Sequence, residues 1–209
     1  LDRDFDFFRF RAAKDSRWIF DLHSARNGNS LDAALILLDA SGRKLAHCEE
    51  RFIWDPFLEF QAPADGEYIA VVQPTHRFND PNFAYSLDIR QAPHIDTIAP
   101  VALPPGRHQI SLYGAGFHDA DARLEFSPPA ITGRLIAAAG SSARAEIDVP
   151  SSVGGPVAVT VLSHNARSNP ARFLVDPLPV SSSTELQAPT QVTAMARYRD
   201  PHRFTIQAQ

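Results

Sequence analysis

Proline punctuation is the feature that most limits what this chain can become. Seventeen prolines stand against ten glycines in 209 residues, and proline is excluded from helix interiors and from central strands. The chain must therefore be cut into many short elements. Between the breaks, residues alternate polar and apolar or run apolar for a few positions, and turn signals recur at intervals of roughly 8 to 15 residues. No stretch holds a long helical period. These signals predict an all-β chain of sandwiches or barrels.

The run Ala33-Ala34-Leu35-Ile36-Leu37-Leu38 organises the first part. It lies between the turn residues Asn27 to Ser30 and the turn Asp39-Ala40-Ser41-Gly42. A short run apolar on both faces predicts a strand buried between layers. Upstream, Asp2, Asp4 and Asp6 share one side of an extended chain with Phe8 and Phe10. The expectation is an exposed acidic edge through Asp6, with Phe8 and Phe10 entering the core and Arg9 and Arg11 facing water. Trp18, Phe20 and Leu22 predict one face of the next strand. Further strands are predicted over 44–50, 56–60, 67–72 and 83–89, with a polar loop over 73–82.

Pro93 marks a boundary. Seven short strands are predicted after it, near 95–98, 109–113, 123–126, 134–138, 143–149, 157–163 and 171–175. That is the strand count of an immunoglobulin-like sandwich, here without the cysteine and tryptophan markers of antibody domains. The chain thus reads as a sandwich over 1–92, a second over 93–178, and a linker with the start of a further module over 179–209. Near the end, R-D-P-H-R-F-T-I-Q-A echoes R-D-F-D-F-F-R-F-R-A at the front, as an internal repeat would.

Charge and motifs narrow the function. Net charge is −4 and no block of Lys or Arg occurs, so the electrostatic footprint of a nucleic-acid binder is missing. No apolar run approaches the roughly 18 residues of a membrane span. A single cysteine, Cys48, rules out an internal disulfide and a cysteine-based zinc site. His47-Cys48 could be read as a base beside a nucleophile, but neighbours on a strand point to opposite faces. There is no G-x-S-x-G elbow, and Gly114-Ala115-Gly116 lacks the third glycine and the helix of a dinucleotide site. Asp39 in D-A-S-G predicts turn chemistry. Asp2, Asp4 and Asp6, with Asp32, are the best candidates for calcium, whose hard oxygen ligands they could begin to supply. An exposed Trp54, beside Asp55-Pro56, would be a ligand-contact candidate.

Four blocks of the first part carry a family likeness: D-F-D-F-F-R-F-R-A, S-L-D-A-A-L-I-L-L-D-A-S-G-R-K-L-A, F-Q-A-P-A-D-G-E-Y-I-A-V-V and A-Y-S-L-D-I. Together they resemble the bacterial pre-peptidase C-terminal domain over about residues 1–91. The resemblance implies a small jelly-roll-like β-sandwich appended to secreted proteases and other exported proteins. Some members bind calcium through acidic residues at the positions of Asp4 and Asp6. The second part, with I-S-L-Y-G-A-G-F and V-P-S-S-V-G-G-P-V-A-V-T-V, resembles the IPT/TIG immunoglobulin-like domains, in which G-x-G-F ends an early strand.

The resulting expectation is a non-catalytic accessory binding or spacer module of a larger exported bacterial protein, located outside the cell or in its envelope. Its partner would be an extracellular polymer, a protein ligand or a neighbouring domain. The alternatives are a piece of a secreted hydrolase whose catalytic residues lie elsewhere, and a purely structural stalk.

Overall fold

The computed structural model describes residues 5–51, 54–75, 84–119, 121–163, 166–178, 180–181, 185–187, 191–192 and 205–207. The chain divides into two compact units, Leu1–Ala92 and Pro93–Gln209. Among the described residues the only helical element is a single 3-10 turn, Ala25–Asn27.

Among the described residues the first unit has seven strands: β1 (Asp6–Ala12), β2 (Arg17–His23), β3 (Ala33–Asp39), β4 (Lys44–Cys48), β5 (Phe57–Gln61), β6 (Gly66–Pro74) and β7 (Ser86–Arg90). They form a four-stranded sheet in the order β1-β6-β3-β4 and a three-stranded sheet in the order β5-β2-β7. Period-2 alternation aims one side of each sheet inward. Phe20 and Leu22 of β2, Phe60 of β5, Leu35 and Leu37 of β3, and Ala70 and Val72 of β6 meet in one core. Phe10 joins them, its ring 5.1 Å from Trp18, 5.2 Å from Phe20 and 5.7 Å from Tyr68. Fully burying a side chain such as Phe20 or Leu35 contributes about 1.5–3 kcal/mol.

Two expectations need correction here. Phe8 faces Ala70 on the ladder yet is 37% exposed. It sits on β1, an edge strand, so its inward side looks onto the rim of the sandwich and not its middle. Strand β3 is also not sealed on both faces. Leu35 and Leu37 are wholly buried, whereas Ile36 and Leu38, on the other side, are only partly covered.

The second unit contains β8 (His94–Ala99), β9 (Ala102–Leu103), β10 (Gly106–Phe117), β11 (Arg123–Ser127), β12 (Thr132–Ala138), β13 (Gly140–Val149), β14 (Gly155–Ser163), β15 (Ala166–Arg167) and β16 (Ala171–Val175). One sheet runs β12-β13-β10-β8 and the other β11-β14-β16-β9, with β15 beside β14. The core between them is mostly aliphatic, built on Ile110, Leu112, Val157, Val159 and Val161 with Phe117 and Phe173. G-A-G-F does end a strand, β10, and its first glycine is required sterically. A Cβ at Gly114 would stand 1.9 Å from the His94 carbonyl oxygen. The parallel pairing of β16 with β9 is a feature the sequence reading lacks.

Two short parallel pairs follow, Val180–Ser181 with Gln191–Val192 and Glu185–Gln187 with Thr205–Gln207. Most of the proposed linker and repeat, including Asp200 and Phe204, lies outside the described residues, as do most of the predicted 73–82 loop and Asp2 and Asp4.

Candidate functional site

The acidic residues expected to hold calcium are not brought together where they can be followed. Asp6 opens β1 and its carboxylate accepts a hydrogen bond from the Tyr85 hydroxyl. Asp32 precedes β3, and its carbonyl accepts the Thr75 backbone N–H at 2.9 Å and the Thr75 hydroxyl at 3.1 Å. Asp6 pairs with Val72, which pairs in turn with Leu35. Strand spacing and rise then put Asp6 and Asp32 about 14 Å apart, too far to share one ion.

Asp39 makes a turn, as its sequence implies. Its Oδ1 accepts the Ser41 N–H at 2.9 Å, the Ser41 hydroxyl at 2.6 Å and the Arg43 N–H at 3.0 Å. Its Oδ2 accepts Arg43 Nε at 3.0 Å. The Ser41 hydroxyl and then, against a desolvation cost, the Arg43 and Ser41 donors lower its pKa to about 2. His47 and Cys48 occupy an edge strand, with the thiol 3.8 Å from the Glu50 carbonyl.

A surface the sequence reading did not assemble emerges on the outward side of the four-stranded sheet. The ladder aligns Phe7, Val71, Ile36 and His47 in one row across β1, β6, β3 and β4. The adjoining row is Arg9, Ile69, Leu38 and Lys44. Four aliphatic side chains therefore form the centre, Phe7 stands at one end 62% exposed, and basic groups border it. Arg9 is partly engaged, 3.6 Å from Glu67. The signal was present in the alternation of β1 and β6, but rows across strands depend on register, which a single sequence does not fix.

The second centre the sequence did not reveal is a buried charge network at the turn Ala25–Asn27. Asp55, fully buried, accepts the backbone N–H groups of Ser24, Ala25 and Arg26 at 3.0, 2.8 and 3.0 Å. It also accepts Arg26 Nε at 2.9 Å. Burial disfavours its charge, but the bonds from Arg26, Ala25 and Ser24 together outweigh that and lower its pKa. Arg26 reaches on to Asp21 Oδ1 and to the Leu22 carbonyl at 2.6 Å. Burial works against its charge as well, and the Asp21 and Asp55 carboxylates override it, raising the pKa. This network pins the turn and the segment before β5. Trp54, adjacent to Asp55, is 54% exposed, and the backbone N–H of Arg51 donates to the Asp55 carbonyl at 3.1 Å. Trp54 is thus an exposed aromatic next to a fixed point.

Comparison with known proteins gives partial matches. No protein-family profile matches the sequence. Over 71 residues the chain is 39% identical to a "Probable subtilase-type serine protease" of Deinococcus radiodurans, a match covering 34% of this chain and 10% of that protein. Among solved structures, a biofilm-associated protein BSP domain aligns over 71% of this chain and 25% of its own, at 18% identity and a TM-score of 0.29. SGBP-B of a Bacteroides ovatus mixed-linkage glucan utilization locus, solved with a mixed-linkage heptasaccharide, aligns over 86% of this chain and 44% of its own, at 13% identity and a TM-score of 0.31. The chain therefore spans a small part of the curated relative it matches. No helix among the described residues is long and apolar enough to cross a membrane.

Proposed function

We propose that the chain is a non-catalytic accessory segment of a larger exported bacterial protein, whose first sandwich holds an extracellular polymer or protein ligand. The observation that carries this reading is the double row on the four-stranded sheet, with its aliphatic centre, exposed Phe7 and basic border. Apolar surface rimmed by polar groups marks interaction sites; here Phe7 is the exposed member, Ile36, Leu38 and Ile69 are half-buried and Val71 is buried. The partial identity to a subtilase-type protease supports a place beside a secreted hydrolase. A calcium ion at Asp4 and Asp6 belongs to the same reading, and a calcium-dependent rise in melting temperature would follow from it.

Pull-down on collagen, chitin and cellulose tests the binding role. Retention on one polymer should fall at least about tenfold in a Phe7→Ser/Ile36→Ser chain. Equal retention of both chains, or hydrolysis of casein by the purified protein, would overturn the proposal.

A further inference from the structure

Asp21, His23 and Asp88 lie side by side on the outward face of the three-stranded sheet. β2 and β7 run antiparallel with Asp21 directly opposite Asp88. His23 is two residues from Asp21 and so shares its side of the strand. Like charges facing across a ladder repel, and this pair is tolerated only with positive charge beside it. Arg26 grips Asp21 Oδ1. Arg90 places Nη1 2.9 Å from Asp88 Oδ2 and Nη2 3.7 Å from Asp21 Oδ2. Between the carboxylates stands His23, its Nε2 3.1 Å from Asp21 Oδ2 and 3.8 Å from Asp88 Oδ2. One donor atom from each of the three lies within 4.8 Å of the others.

We infer that this trio is a binding site for a zinc-like divalent transition metal. The donor chemistry separates it from a calcium site: an imidazole with two carboxylates suits zinc, whereas calcium takes six to eight oxygens. The spacing agrees. Tetrahedral zinc with bonds of about 2.1 Å has donor–donor edges of about 3.4 Å, and the two separations from His23 Nε2 bracket that length. In the bound state the Nε2 lone pair takes the ion and the ring's one proton sits on Nδ1.

The surroundings are those of a positioned site. Arg26, itself fixed by Asp55, holds one oxygen of Asp21 and turns the other toward His23, as partners behind metal-bound carboxylates do. Asp21 is 1% exposed, His23 27% and Asp88 52%, so the donors grade from a rigid floor to an open side. That side leaves a fourth position to water or to a donor from a bound partner. Arg90, whose side chain is partly exposed, is the competing cation and withdraws toward solvent as the metal arrives.

The test uses the full chain with zinc chloride, measured by calorimetry and by the melting of tryptophan emission. Wild type is expected to bind zinc and melt at a higher temperature with it, while cobalt(II) shows the strong visible absorption of four-coordinate geometry. His23→Ala and Asp88→Asn, both at partly exposed positions, should weaken zinc at least about tenfold and abolish the cobalt spectrum. Calcium should not displace the zinc. Absence of zinc binding, a six-coordinate cobalt spectrum in wild type, or zinc affinity unchanged in both variants would each overturn the inference.

Discussion

The two sandwiches solve the same packing problem with different chemistry. The first fills its core with rings, Phe10, Trp18, Phe20, Phe60 and Tyr68, and fixes its irregular segment with charge. The second fills its core mainly with valine, isoleucine, leucine and alanine, with Phe117 and Phe173 its buried rings, and clasps one end with neutral groups. There, Asn169 accepts the Ile95 N–H through Oδ1 and donates to the Ile95 carbonyl through Nδ2, both at 2.7 Å. The amide thus stands in for one residue of a neighbouring strand. Ser168 accepts the Val161 N–H at 2.9 Å and donates to the Asn169 carbonyl at 2.8 Å. A charged pin is strong but depends on protonation. An amide clasp is weaker and does not.

Mutation should expose that contrast. Both tryptophans lie in the first unit, so their emission follows that unit while far-UV circular dichroism follows the whole chain. Asp55→Ala removes the acceptor of one buried and two part-buried N–H groups and of Arg26 Nε, and should cost the first unit about 3–5 kcal/mol, read as an early fall of the emission transition. Gly114→Ala drives a Cβ into the backbone of β8 and should cost the second unit about 3 kcal/mol, lowering the dichroism transition and leaving tryptophan emission in place. Asn169→Ala should cost about 2 kcal/mol by the same dichroism measurement. If Asp55→Ala proves milder than Asn169→Ala in denaturant titrations, the contrast between pin and clasp fails.

Acid sharpens the comparison further. Asp55 has a lowered pKa in the fold, so its contribution is complete above the usual carboxylate value near 4 and is lost as pH falls through the folded value. The emission transition should therefore drop through that window, while Asn169 has no proton to gain there. Asp39, held at about 2, should keep its turn bonds until the pH falls to that value. As an exposed turn residue, its change to Asn should move the emission transition least of all.

Strand existence was legible throughout because proline and turn residues fix the breaks and β-type residues fill the intervals. Each of the seven strands expected after Pro93 has its counterpart in β8, β10, β11, β12, β13, β14 and β16. Asp39 was legible because its partners lie within four residues. Asp55 was not, because Arg26 lies 29 residues away in sequence and only the fold joins them. Asp21 was not legible for a related reason. Alternation with Phe20 and Leu22 points it away from the core, which normally means water, yet Arg26, His23 and Arg90 gather on it and it is 1% exposed. The β9–β16 pair was hidden by length, since two residues carry no period.

The anchoring of Asp55 bears on how such a module can diversify. The chain leaving β4 is caught at Asp55 before it enters β5, so the register of β5 against β2 is set downstream of the connection. That register does not depend on the connection apart from Arg51, whose N–H donates to the Asp55 carbonyl and whose guanidinium lies 4.4 Å from the Phe57 ring. A lineage, or an engineer grafting a recognition peptide, could rewrite that connection repeatedly while the sandwich beneath it kept its pairing.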